Sequence, residues 1–211
     1  MSRSDNSGRW SGARIVILTD FLSDLAGTER YTVTVAMALA VRGAAVDVFV
    51  AEPPRNRTWT DLLTAEGVAV HAPGSVTAVA SLWSHLNHQL VHERPDLVLV
   101  NPMGEALVGW LPTVPPNVPL PPIIGVEYSR PGPAAAHWYP PTLPGLIHHL
   151  DAVIATCEAS RQGVIAHFGR AHWRTVSGTS SNTRRTTPTS SGRSRPASSP
   201  GTPPRRRCPC C

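Results

Sequence analysis

Everything able to build a hydrophobic core lies before residue 169. After Phe168 the chain has no Leu, Ile, Met, Phe or Tyr, and its large apolar side chains there are Trp173 and Val176. Ordering a residue costs roughly 1–2 kcal/mol of backbone entropy, which apolar burial must offset. Residues 170–211, rich in Arg, Ser, Thr and Pro, lack the means and are expected to be a disordered tail. Residues 1–13 are polar and are expected to be disordered as well. The fold must come from residues 14–169, enough for one domain, since domains commonly run about 100–200 residues.

Charge divides the chain at nearly the same place. All 14 Asp and Glu lie between Asp5 and Glu158, whereas the tail holds nine of the 19 Arg. The body is therefore formally −4 and the tail +9, which together give the net +5. The high pI describes the tail alone and does not make the folded part a nucleic-acid binder. Lys is absent and Ala, Gly and Pro are abundant, as a GC-rich coding sequence produces.

The N-terminus has no apolar core of a secretory signal, and no uncharged apolar run approaches the roughly 20 residues of a spanning helix. The expectation is a soluble cytoplasmic protein, or one held peripherally at the inner membrane face. Cys157 stands alone in the body, so a structural disulfide is not expected. Cys208, Cys210 and Cys211 crowd the last four positions, a poor spacing for surrounding a metal ion, and no metal site is expected.

Short apolar runs alternate with helical periodicity. Arg14 to Thr19 (RIVILT) has the form of a buried parallel strand. A polar loop follows from Asp20 to Gly27. Thr28 reads as an N-cap, with Glu29 in the first turn, where a carboxylate suits the helix dipole. Val33, Met37, Ala40 and Val41 then fall on one helical face, and Gly43 is a natural stop. Val46 to Ala51 (VDVFVA) is the next strand. Strand–helix–strand in about thirty residues implies a parallel pair with a right-handed crossover.

The pattern continues with a helix around Trp59 to Glu66 and a strand at Val68 to His71. Val79, Leu82, Trp83, Leu86 and Leu90 mark one face of a longer helix, with Trp83 in the core. Leu97 to Val100 is a strand and Gly104 to Leu111 a short helix. Pro112 to Pro122 is too Pro-rich for regular structure. Ile123 to Val126 is a strand, Leu143 to Leu150 helical, Ala152 to Ala155 a strand, and Glu158 to Phe168 a helix ended by Gly169. Repeated βα alternation specifies an α/β domain, a doubly wound Rossmann-like parallel sheet.

In such sheets ligands bind at the carboxyl ends of the strands. The working loops are then those after Thr19, Val100 and Val126. Gly27, Thr28 and Glu29 open the first helix, whose N–H groups can hold a phosphate oxygen. Asn101 and Glu105 flank Pro102-Met103-Gly104 and can read hydroxyls of a ligand. Glu127, Tyr128, Ser129 and Arg130 follow a strand end: a carboxylate accepts hydroxyl hydrogen bonds, and an Arg clamps an anionic group. His148 and His149 precede a strand and read as surface residues. G-x-G-x-x-G, G-x-x-x-x-G-K-[ST] and G-x-S-x-G are all absent, which disfavours a dinucleotide site and removes a P-loop and a nucleophile elbow.

Three segments carry a family resemblance. GTERYTVTVAMALAVRGAAVDVFVA resembles the opening unit of family-4-type glycosyltransferases. PDLVLVNP resembles their fourth strand, and LPGLIHHLDAVIATCEASRQGVIAHFG is similar to the segment closing their N-terminal domain. The resemblance covers Arg14 to Gly169. It implies one half of a GT-B fold, two Rossmann-like domains facing across a cleft. The N-terminal half mostly holds the acceptor; the other half holds the nucleotide-sugar donor, usually with two carboxylates eight residues apart, and the sugar is transferred with retention. The donor is a co-substrate, and no cofactor is implied. Gly27, Thr28 and Glu29 would lie by the donor phosphate, where relatives often have two glycines and this chain has Ala26-Gly27. Relatives often carry His near Glu127, touching the transferred sugar, which makes Glu127 the candidate catalytic residue. The partner would be a hydroxyl acceptor: a glycan, a lipid-linked sugar or a small molecule.

No acid follows Glu158, so the donor-side carboxylate pair has no counterpart here. The tail's composition is what a GC-rich gene gives when read out of frame. The expectation is a frameshifted or truncated product that is inactive alone. The rival is a non-catalytic α/β binding module whose authentic basic tail binds nucleic acid or anionic lipid.

Overall fold

The computed structural model describes residues 7–23, 27–128, 141–168 and 174–175. They form one parallel sheet wrapped by helices. The strands are β1 (Arg14–Thr19), β2 (Ala45–Val50), β3 (Ala69–His71), β4 (Leu97–Val100), β5 (Ile123–Glu127), β6 (Ala152–Ala155) and β7 (Arg174–Thr175). Their order in the sheet is β3-β2-β1-β4-β5-β6-β7, and every pairing is parallel. The helices are α1 (Gly27–Ala40), α2 (Thr58–Ala65), α3 (Val79–His92), α4 (Glu105–Trp110), α5 (Leu143–Leu146) and α6 (Glu158–Phe168).

The alternation of side chains along β1 explains why the sheet is wound twice. Ile15 and Ile17 point to one face, where Val33 and Ala36 of α1 and Leu63 of α2 cover them. Val16 and Leu18 point to the other, under Leu82, Trp83, Leu86 and Leu90 of α3 and Leu107 and Trp110 of α4. A strand buried on both faces must be apolar throughout, and RIVILT is. From β1 the chain winds outward through β2 and β3 with α1 and α2 on one face. It then returns to β4, beside β1, and winds the other way with α3, α4 and α6 on the opposite face. Right-handed crossovers require that change of face when the direction reverses. The reversal leaves a crevice between the carboxyl ends of β1 and β4.

Six expectations need correction. The stretch expected to be disordered through residue 13 holds a 3-10 turn at Ser7–Trp10, and Trp10 and Ala13 pack against the core. Thr28 does not cap α1, because the helix already includes Gly27. Val41 lies beyond the end of α1 and is 79% exposed; the helix buries Glu29, Thr32, Val33 and Ala36 instead. Gly43 turns the chain with φ +85°, which a glycine tolerates. The helix expected over Leu143 to Leu150 is a single turn, α5, followed by a 3-10 turn at Ile147–His149. Pro112 lies in a 3-10 turn, Leu111–Thr113, in a segment expected to lack regular structure. Arg174 and Thr175 pair in parallel with β6, so the sheet reaches into the stretch expected to be disordered from residue 170. The other residues of that stretch, and Gly169, lie outside the described residues. No helix among the described residues is long and apolar enough to cross a membrane.

Candidate functional site

Polar anchors hold the crevice together. Asp20 follows β1, and its Oδ1 accepts the N–H of Ala106 at 2.7 Å. It thereby caps the start of α4 from 86 residues away, satisfying amides the short helix cannot satisfy itself. Gly104 lies between them. A Cβ on it would collide with Asp20 Oδ2, so the close approach requires glycine. Burial raises the Asp20 pKa to about 6; the N–H groups of Ala106 and Glu105 oppose the rise, and the charges of Glu105 and Glu52 add to it.

Asn101 ties α1 to the sheet as a donor, not as a cap. It ends β4, is fully buried, and its Nδ2 donates to Thr28 O at 3.2 Å and Thr32 Oγ1 at 2.5 Å. The peptide bond from Asn101 to Pro102 is cis. Asn101 Oδ1 has no hydrogen-bond partner among the described residues.

Beside this crevice a cavity of about 580 Å³ opens between the start of α1 and the ends of β5 and β6. Gly27, Thr28 and Tyr31 form its α1 wall; Tyr128 and residues 154–156 form the other. A Cβ on Gly27 would meet nothing within 4 Å, so the described neighbours leave room there. The rings of Tyr31 and Tyr128 meet edge to face with centroids 5.5 Å apart. Ser160 fixes the end of β5 by donating to Tyr128 O at 3.0 Å, and Thr156 N–H donates to Glu127 O at 3.1 Å. Burial moves the Tyr128 pKa far above its ordinary value, with Tyr31 and the Glu127 charge adding to the shift. The Asn101 side chain, outside hydrogen-bond geometry of Tyr128 Oη, acts against that shift. The phenol therefore stays protonated at any working pH.

The expected site residues separate into groups. Gly27, Thr28 and Tyr128 line the cavity. Glu29 is fully buried in the first turn of α1, and Glu127 is 2% exposed at the end of β5; both neighbour the cavity in sequence, and neither is among its lining residues. Asn101 is buried as the tie to α1, whereas Glu105 is exposed on the first turn of α4. Ser129 and Arg130 lie outside the described residues. His148 and His149 are exposed and Trp83 is in the core, as the sequence suggests. Cys157 Sγ lies 3.3 Å from Ser160 Oγ, and no group of metal-binding side chains occurs among the described residues.

Sequence reasoning missed Asp20, Tyr31 and the 154–156 wall. The carboxyl-end rule that selected Asn101 and Glu127 applies equally to Thr156, which directly follows β6. Tyr31 sits one turn after Gly27 on the same helix face and was within reach of the same argument.

The fold has solved counterparts. The Anabaena protein Alr3699/HepE, solved in complex with UDP and glucose, aligns with a TM-score of 0.56 at 18% identity. That alignment covers 78% of this chain and 44% of HepE. A second HepE structure, with UDP-glucose, aligns at the same TM-score of 0.56. A glycosyltransferase from Rickettsia africae aligns at 0.52 with 11% identity, over 79% of this chain and 43% of that one. The chain thus has the fold of one half of these proteins and spans less than half of their length. No family model and no curated protein matches the sequence.

Proposed function

We propose that residues 14–169 are the acceptor-side half of a retaining glycosyltransferase of the GT-B type. The complete enzyme would move a sugar from a nucleotide-sugar donor to a hydroxyl acceptor. One observation carries this reading: a walled cavity opens at the first turn of α1, at the carboxyl edge of a doubly wound sheet, in a fold shared with half of HepE. HepE was solved with UDP and glucose, and two of the segments noted in the sequence, those ending in VDVFVA and PDLVLVNP, finish at the carboxyl ends of β2 and β4.

The chemistry needs groups on both sides of the anomeric carbon, because rate comes from interactions made with the transition state. On this reading Glu127 faces the transferred sugar after a modest rearrangement of the β5 end. No carboxylate follows Glu158 to serve the donor side. The 211-residue chain alone should therefore show no turnover with a panel of nucleotide sugars and acceptors. A donor-domain reading frame just downstream of the gene supports the reading, and joining that domain should restore transfer. In the joined enzyme, Glu29→Ala and Glu127→Ala should lower kcat/KM far more than His148→Ala. Near-normal kinetics in all three variants would refute the site assignment. Turnover by the 211-residue chain at about 1–1000 per second would refute the half-enzyme reading. The basic tail leaves a second reading, a non-catalytic module; steeply salt-dependent binding of the chain to DNA or RNA, lost on removing residues 176–211, would favour it.

A further inference from the structure

We propose that the cavity beside the first turn of α1 binds a planar, uncharged ring, the apolar part of the acceptor. The binding claim needs only the cavity; naming the ring as acceptor rests on the glycosyltransferase reading.

Size and lining point the same way. The volume, about 580 Å³, falls within the roughly 300–1,000 Å³ of small-molecule sites. Such sites are mostly apolar with a few polar groups, and this one is walled by Tyr31, Tyr128, Ile154 and Ala155. The two tyrosine rings already pack edge to face, an arrangement that a third planar ring extends at ordinary aromatic distances. Tyr128 Oη and Thr156 Oγ1 are closed to solvent. What those two side chains turn to the cavity is therefore carbon, not hydroxyl.

Charge argues against an anion at the same place. The described lining residues are all uncharged. Arg30, the nearest basic residue in sequence, is exposed and is not among them. Glu127 immediately precedes Tyr128, and its charge is felt at the Tyr128 hydroxyl. A phosphate in the cavity would meet that field without a described cation to offset it, whereas a neutral ring is indifferent to it. A free sugar fares poorly for a different reason: its hydroxyls would leave water for a wall with few accessible partners. Two sources share the ring chemistry, an aryl-bearing acceptor and the nucleobase of a donor, and the test must separate them.

The test is equilibrium binding to the full chain, read by calorimetry, with 2-naphthol, uridine, D-glucose and inorganic pyrophosphate as probes. The expected result is saturable 2-naphthol binding with Kd of about 0.1–1 mM, and at least about tenfold weaker binding of the other three. Ala155→Phe fills the cavity and should abolish naphthol binding. Because Ala155 lies in a buried strand, Tyr31→Leu provides a second variant: it keeps an apolar side chain, removes the ring, and should weaken naphthol about tenfold with the thermal transition retained. Naphthol affinity unchanged in Tyr31→Leu, or no saturation by naphthol at all, would overturn the proposal. Uridine binding as tightly as naphthol, and lost in Tyr31→Leu, would overturn the acceptor assignment in favour of a nucleobase. Pyrophosphate that competes with naphthol would overturn the charge argument. If naphthol binds as expected and the joined enzyme transfers no sugar, the glycosyltransferase reading fails and the ring site stands.

Discussion

Two aspartates at neighbouring strands, Asp20 buried and Asp47 half-buried, are held by different means. Asp20 sits in the crevice at the end of β1, and its partners are backbone amides of α4. Asp47 lies within β2, and its partners are side chains: His71 Nε2 at 2.8 Å and Gln89 Nε2 at 3.3 Å. Burial is the largest influence on both and raises both. At Asp20 it wins, aided by Glu105 and Glu52. At Asp47 the hydrogen bonds from His71 and Gln89, with the charges of His71 and Arg14, outweigh it, and the pKa falls below the ordinary value. Asp47 thus belongs to a lateral brace, where His71 also stacks on Phe49 at 4.4 Å. Asp20 is a carboxylate whose charged form is disfavoured at the carboxyl edge of the sheet. The contrast teaches that burial alone does not decide a carboxylate's state; the charges admitted beside it do.

The two should therefore respond to pH in opposite directions. Asp20 titrates near 3.8 when unfolded and near 6 in the fold, so the folded chain holds its proton more tightly. That contribution is complete below the unfolded value and is lost as pH rises through about 6. The loss is on the order of 3 kcal/mol at most, at 1.36 kcal/mol per pKa unit. Asp20→Asn should remove it, so urea melts between pH 4 and 7 should show a flatter profile for the variant than for the parent chain. Matching profiles would break the comparison.

Gly104→Ala sharpens the same point with a smaller effect. The new Cβ would run into Asp20 Oδ2, and overpacking of this kind costs about 1–3 kcal/mol. If the contact is the cause, Asp20→Ala should make Gly104→Ala nearly neutral in a double-mutant cycle, since only neighbours couple strongly. Additive effects would place the cost in the backbone of Gly104 instead.

Asp47→Asn tests the lateral brace. An amide keeps an acceptor for Gln89 but loses the charge that strengthens the bond to His71, at a cost of about 1 kcal/mol near neutral pH. The sign with pH is the reverse of Asp20. The Asp47 contribution is complete above the ordinary carboxylate range and is lost as pH falls through its lowered value. Parent and variant should converge in strong acid, followed by the same urea melts. A gap that widens with acid would contradict the assigned direction.

What the sequence made legible follows from how local each cause is. Strands such as RIVILT and LVLV could be read because burial on both faces leaves a continuous apolar run. The face of α3 could be read because Leu82, Trp83, Leu86 and Leu90 repeat within one helix. The Asp20–Ala106 bond joins residues 86 apart, and no periodicity records it. Asp20 accordingly passes for an ordinary loop acid. The cavity is similar: its walls come from α1, β5 and β6, whose adjacency exists only once the sheet order is known. Asn101, Glu127 and Gly27 were found by the carboxyl-edge rule, which is a rule of topology. It locates positions along the edge but does not say which side chains turn inward, and so it could not foresee that Glu29 and Glu127 would be buried.

The smallest expected effect sits at the end of α1, where helical periodicity misled. Val33 and Val41 are eight residues apart, a spacing that puts both on one face of an uninterrupted helix. Only Val33 is in the core, at 3% exposure against 79% for Val41, which lies past the last residue of α1 although its N–H still bonds Met37 O. Val33→Ala removes buried methyl groups and should cost on the order of 1–2 kcal/mol. Val41→Ala should change stability by less than about 0.5 kcal/mol, as surface substitutions do. Thermal melts of the two variants in one buffer decide it. Equal losses would mean that Val41 is buried in solution and that α1 runs past Ala40. The first reading of that helix would then be right and the description of its end wrong.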